Sequence, residues 1–114
     1  MRIEFSIPAI PPSINKWSRS HWSVRANHAK DWYDWVALHA PLAPQKRLLI
    51  DPAIVTLTFA SPYKIDGDNR AKFVLDGLVK RGLITDDSAP HLAELRLRTE
   101  RRRLPQTLIV IESV

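Results

Sequence analysis

Apolar and polar residues alternate almost from the first position: Ile3, Phe5 and Ile7 against Arg2, Glu4 and Ser6, the period of two that a half-buried strand imposes. Pro8 closes that strand. Ala9 to Ser23, with Pro11 and Pro12, reads as a loop rich in basic and aromatic side chains. The period then lengthens: Ala29, Trp32, Trp35 and Val36 share one face of a helix from Val24 to about Leu38, with Ser23 placed to cap it. Pro41 and Pro44 stop this helix, because proline lacks the N–H that a further turn needs.

Val55, Leu57 and Phe59 alternate with Thr56, Thr58 and Ala60 and predict a second strand ending near Pro62. Ala71, Val74, Leu75, Leu78 and Val79 then follow at i, i+3, i+4, i+7 and i+8. They predict an amphipathic helix from about Asn69 to Arg81, with Asp68 or Asn69 at its N-cap and Gly82 at its C-terminal cap. Leu95 and Leu97 alternate with Glu94, Arg96 and Arg98, and beyond a polar turn from Arg101 to Gln106 the run Leu108-Ile109-Val110-Ile111 predicts the last strand. These last two strands are expected to pair as a hairpin. The order β-α-β-α-β-β defines an α+β fold, a single domain over residues 1–114 with one mixed sheet and helices packed against it.

At 114 residues and 45% hydrophobic, the chain suits one domain with one core, and no segment approaches the run of about 20 apolar residues that a membrane span needs. The opening Met1-Arg2-Ile3-Glu4-Phe5 lacks the apolar stretch of a signal peptide and there is no cysteine, so a cytoplasmic protein without disulfides or thiolate metal sites is expected. His21, His28, His39 and His91 show no zinc-binding spacing, and no Ser-His-Asp arrangement emerges.

Charge changes the picture. The 17 Lys and Arg outnumber the 12 acids to give +5. With Asp66, Asp68, Asp86 and Asp87 set aside, 17 bases face 8 acids, a surplus of +9 that suits a nucleic-acid binder, though also a merely soluble protein of high pI. Carboxylates at Asp-x-Asp spacing with a second pair downstream are a way of holding hard divalent cations such as Mg²⁺. Asp66 and Asp68 sit at a strand-to-helix junction, where a turn lets both converge on one ion beside the helix N-terminal amides.

Lys72 lies one turn into the helix, able to reach back to a phosphate, and Asn69, Lys72 and Asp76 share a stripe that lets Asp76 orient the lysine. A calcium EF-hand loop starting at Asp66 is excluded, because Arg70, Ala71 and Gly77 stand where it needs an oxygen ligand, glycine and glutamate. An isolated Asp-x-Asp is more often a capped polar turn, but such a turn has no need of Asp86-Asp87 after the apolar Leu83-Ile84.

Whether Asp87 joins Asp66 and Asp68 is a question of reach. The helix rises about 20 Å, and the span from Gly82 to Asp87 covers at most about 20 Å extended. Asp87 returns within one chain only if Leu83-Ile84-Thr85 runs back along the helix; otherwise a partner subunit completes the site.

The spacing Asp66-x-Asp68-Asn69-x-x-Lys72-x-x-x-Asp76-x-Leu78-x-x-x-Gly82-x-x-x-Asp86-Asp87, with Pro11-Pro12-Ser13-x-Asn15 after the first strand, resembles the signature of the RusA-type Holliday-junction resolvases. That resemblance implies a cytoplasmic homodimer in a bacterial or phage-infected cell that binds four-way DNA junctions and makes paired nicks with Mg²⁺ or Mn²⁺ and no organic cofactor. It makes Asp66, Asp68 and Asp87 the essential metal-binding carboxylates and Lys72 the catalytic lysine. Asp86 is then a further ligand, with Asn69 and Asp76 supporting.

The chain departs from that pattern at Ser88-Ala89-Pro90-His91, where Arg96 and Arg98 supply the positive charge, and in the tryptophan-rich loop. Lys16, Arg19, His21 and Arg25 interleaved with Trp17 and Trp22 would track phosphates and stack on unpaired bases, although both tryptophans fit a core role equally. Arg70 and the turn Arg101-Arg102-Arg103 are further DNA contacts, the latter otherwise a solvated tip. Two other readings stay open: a non-catalytic phage-type DNA-binding protein with a structural cation, and a nuclease for flaps or forks.

Overall fold

The computed structural model describes residues 2–12, 22–41, 49–68 and 70–114, with only the backbone for 22–26. Its elements follow the predicted order: β1 (Arg2–Ile7), α1 (Trp22–His39), β2 (Ala53–Ser61), α2 (Ala71–Arg81), β3 (Leu92–Arg101) and β4 (Gln106–Ser113). They form one four-stranded mixed sheet in the order β1-β4-β2-β3, with both helices on one face. The core lies between them, where Ile3, Phe5, Ile7, Val55, Leu57, Phe59, Ile109 and Ile111 from alternate strand positions meet Trp32, Val36, Val74 and Leu78.

The expected hairpin of the last two strands does not form. β3 runs parallel to β2 on one side, and β4 pairs antiparallel to β2 on the other, so β2 separates them. The connection crosses the end of β2, held by the Arg102 N–H donating to the Ser61 carbonyl at 3.0 Å. The reason lies in the side chains: Leu108-Ile109-Val110-Ile111 is apolar toward both faces and takes a central position, whereas Glu94, Arg96, Arg98 and Glu100 keep β3 at the edge. α2 supplies the crossover that parallel neighbours require.

Helix boundaries shift by a turn or less. α1 takes in Ser23, which the sequence placed as its cap, and it runs on to His39, whose Nδ1 donates to the Trp35 carbonyl at 3.1 Å before Pro41. α2 begins at Ala71 with Arg70, not Asp68, at the N-cap and no side-chain capping bond from it; the other expected cap, Asn69, lies outside the described residues. Gly82 ends α2 as expected, at φ 79°, with Leu83 N–H donating to the Leu78 carbonyl in a closing turn that any residue with a Cβ would strain.

The helices approach most closely at Gly77, where an added Cβ would stand 2.8 Å from Val36 Cγ2 and 3.3 Å from its Cβ. Val36 is β-branched and fully buried, so it has little room to give. Gly77→Ala gains about 1 kcal/mol of helix propensity against an overpacking cost of about 1–3 kcal/mol. Gly77→Val adds bulk at the same contact and loses most of that gain; urea denaturation should show it destabilised by about 2 kcal/mol or more.

Candidate active site at the strand ends

β1 and β2 point the same way, since each is antiparallel to β4, and β3 is parallel to β2. One end of the sheet therefore gathers the C-terminal ends of three strands and the start of β4. At this end the chain passes from β2 into Asp66-Gly67-Asp68 and then α2. Gly67 is buried, and a Cβ on it would lie 3.2 Å from Thr99 Cγ2 on β3 and 3.5 Å from Phe59 Cδ2 on β2. Glycine lets the turn lie flat on the parallel pair, leaving Asp66 and Asp68 exposed on either side.

Arg70 anchors this turn. Its N–H donates to the Gly67 carbonyl at 3.1 Å, and its guanidinium donates to the Pro11 carbonyl, tying the chain after β1 to the start of α2. Burial lowers the Arg70 pKa, and the charge of Asp66 acts in the opposite sense. Arg70, expected as a DNA contact, is thus half-buried and tied to the turn.

Lys72 stands in the first turn of α2, its Nζ 3.5 Å from Asp76 Oδ2, with both side chains about half exposed. The pairing of Asp76 with Lys72 read from the helical stripe is therefore present. An exposed i,i+4 pair is worth only about 0.3–0.5 kcal/mol, so the ammonium exchanges readily to a stronger anion.

The basic candidates divide. Arg101, Arg102 and Arg103 lie at the same end as the acidic turn and are exposed, with Arg102 Nε donating to Glu100 at 2.8 Å. Arg96 and Arg98 project from the edge strand, and Arg96 is held by Glu94 at 2.8 Å, an ion pair that lowers the glutamate pKa and raises that of the arginine. Lys16, Trp17, Arg19 and His21 lie outside the described residues, as do the side chains of Trp22 and Arg25. Of the two tryptophans placed on one face of α1, Trp32 is buried and Trp35 half-buried.

Tyr63 was not singled out by the sequence. It is 76% exposed and lines a shallow groove with Lys64, Ile65, Thr99, Glu100 and Arg101 beside the acidic turn. An aromatic side chain followed by a lysine directly after a strand end was the available signal.

Asp86 and Asp87 lie at the opposite end of β2 and β3. Ile84 bridges Ile50, just before β2, and Thr85 Oγ1 donates to Asp51 Oδ2 at 2.9 Å. His91 Nδ1 lies 3.0 Å from that same carboxylate, and the His91 carbonyl accepts the Ala53 N–H. Ser88 Oγ donates to Asp86 Oδ2 at 2.6 Å, and this bond, with the Asp87 N–H, lowers the Asp86 pKa.

From Ala53 to Phe59 the strand covers about 20 Å, so within one chain Asp87 does not return to Asp66 and Asp68. Leu83 and Ile84 spend their reach joining β2 at its start instead of running back along α2. Among the described residues no three His, Asp or Glu side chains gather closely enough to hold an ion.

The donor set at the acidic turn still suits a hard cation. Mg²⁺ is commonly held by one or two carboxylates, with waters and substrate phosphates filling its shell, and Asp66 and Asp68 offer two exposed carboxylates beside the start of a helix. The Asp51, Thr85 and His91 cluster escaped sequence reading because 40 residues separate Asp51 from His91. No protein-family model matches the chain, and no curated protein sequence does. No helix among the described residues is long and apolar enough to cross a membrane.

Proposed function

We propose that the protein is a metal-dependent, structure-selective DNA endonuclease of the RusA type, acting on four-way junctions in recombination and repair as a two-fold dimer. The observation that carries this reading is the Asp66-Gly67-Asp68 turn laid on the ends of β2 and β3, with Lys72 behind it and Arg101 to Arg103 on the same end. Asp66 and Asp68 would hold Mg²⁺ or Mn²⁺, joined by Asp87 and Asp86 of the opposite subunit, since the chain's own pair lies at the far end of the sheet.

When bound, such an ion lowers the pKa of water and polarises the scissile phosphate. The net reaction adds a water oxygen to phosphorus and breaks the P–O3′ bond; water loses one proton and O3′ gains one, leaving a 5′-phosphate and a 3′-hydroxyl. Lys72 leaves Asp76 for the phosphate and offsets its developing charge. Tyr63 and the exposed arginines hold the strand against the turn.

Lys72→Ala should lower turnover by about 100-fold or more with little loss of junction affinity, measured by single-turnover nicking and gel-shift titration. Equal losses in both would recast Lys72 as a binding residue. The test of the whole reading is a panel of labelled junction, fork, flap and linear duplex DNAs incubated with Mg²⁺ and resolved on a denaturing gel. Paired symmetric nicks confined to the four-way junction support it. Cleavage of forks or flaps keeps the nuclease and changes its substrate, and junction binding without nicks under any divalent metal leaves a DNA-binding protein.

A further inference from the structure

We infer that the cleft between α1 and α2 is a subsite for one unpaired nucleotide of the bound DNA, its base against Tyr33 and its phosphate on Lys80. Ala29 and Tyr33 stand one turn apart on α1, facing Phe73 and Gly77, one turn apart on α2, around a cavity of about 100 Å³. Small residues make the gap: Gly77 lets the helices approach, and neither it nor Ala29 carries a side chain long enough to fill the space between the two rings. Phe73 is buried and floors the cleft, whereas Tyr33 is 37% exposed and stands at its mouth.

The rim is charged in a pattern that fits a nucleotide. Lys72, Asp76 and Lys80 follow at i, i+4 and i+8 along the α2 side, two cations around one carboxylate. Lys80 Nζ lies over the Tyr33 ring, 6.0 Å from its centroid. A cation there occupies the face on which a base would stack, and a phosphate is a stronger partner for it than the ring. Lys80 moving to a phosphate therefore uncovers Tyr33 for the base. In the same way, Lys72 leaving Asp76 frees a carboxylate beside the cleft to accept an N–H from the base edge. Both lysines are exposed, so neither exchange gives up a strong contact.

Size and position narrow the ligand. An enclosed cavity of about 150 Å³ holds benzene, so a cleft of about 100 Å³ open at Tyr33 admits one flat ring and not a packed peptide segment. Lys72 and Lys80 lie about 12 Å apart along α2 at 1.5 Å per residue. A strand that meets Lys72 beside the acidic turn thus runs on over the cleft. Entry takes a base out of its stack, which costs least where pairing is already broken, as at a branch point. The subsite rests on the nuclease reading for the presence of DNA and not for its cutting.

The experiment measures affinity, with the full chain and a labelled four-way junction in EDTA, where nothing is cut. A matched pair of abasic residues, one in each strand of like polarity, is moved position by position through the crossover. At one position it should weaken wild-type binding about tenfold or more, the scale of a base stacked on an aromatic ring. Tyr33→Ala should lose as much on intact DNA and nothing further at that position. Tyr33→Phe keeps the ring and should match the wild type throughout. Lys80→Gln should flatten the slope of log affinity against log salt by about one phosphate contact per subunit. Both side chains are exposed, so these variants should melt with the wild type.

Losses from Tyr33→Ala and from the abasic pair that add in full at every position, or no sensitive position at all, would overturn the subsite. Junctions still nicked in Mg²⁺ under that outcome keep the nuclease reading, and coupled losses in a chain that nicks nothing under any divalent metal keep the subsite alone. A chain that binds no DNA overturns both. Unchanged DNA binding by Tyr33→Ala and Lys80→Gln, with an altered mass by light scattering, would make the cleft a protein contact and overturn the subsite.

Discussion

Replacing Asp68 by Asn is expected to give a protein that binds a four-way junction and does not cut it. The substitution keeps the size of the side chain and removes the charge that holds a hard cation, so nicking in Mg²⁺ should fall below detection. Affinity should hold or rise. A carboxylate about 5 Å from a phosphate costs less than about 1 kcal/mol in water, so losing it tightens binding by no more than about fivefold. The structure sharpens this prediction, because Arg70, not Asp68, occupies the N-cap of α2, and Asp68 is exposed.

A capping aspartate would have cost about 1 kcal/mol of stability on replacement and confused the result. Asp68→Asn should instead melt with the wild type. Full cleavage by this variant in Mg²⁺ would end the assignment of the acidic turn as a metal site.

The elements and their order were legible because each carries an unmixed period: two in β1 and β2, about 3.6 in α2, and glycine where α2 must turn at positive φ. The pairing of the strands was not. Adjacent strands with a short polar connection suggest a hairpin, and only the two-sided apolar character of β4 argued that it belongs inside the sheet. The Lys72–Asp76 pair was legible as a local helical spacing. The Asp51, Thr85 and His91 cluster was not, since it exists only once Ile84 has joined Ile50. Tyr63 is intermediate: its neighbours hinted at a role, but its exposure beside the acidic turn is a property of the fold.

Reach was the one quantity the sequence left balanced, with about 20 Å of helix against about 20 Å of returning chain. The fold breaks the tie by spending the return on core contacts, burying Leu83 and Ile84 at the start of β2. A motif compact in sequence is thereby split between opposite ends of the sheet. On the nuclease reading, one short segment would then serve two sites, giving Asp66 and Asp68 to its own and Asp86 and Asp87 to the other.

Mixed dimers of an Asp68→Asn chain with an Asp87→Asn chain give the sharpest expected result. If each site drew all its carboxylates from one chain, both sites of the mixed dimer would carry one lesion and nothing would be cut. If Asp87 acts in the opposite subunit, the two lesions fall together in one site, and the other site receives intact Asp66 and Asp68 from one chain and intact Asp87 from its partner. Two inactive proteins should therefore regain activity on mixing and re-equilibration. In an equal mixture half the dimers are mixed and each holds one good site, so the nicking rate should reach about a quarter of the wild-type value. The products should be single nicks, since one active site cuts one of the two symmetric strands and leaves the junction unresolved. Dimers tagged differently on the two chains and purified as the mixed species should show about half the wild-type nicking rate. Inactivity of that purified species, with each parent still binding the junction, would return Asp87 to its own chain and require the segment after α2 to refold along the helix.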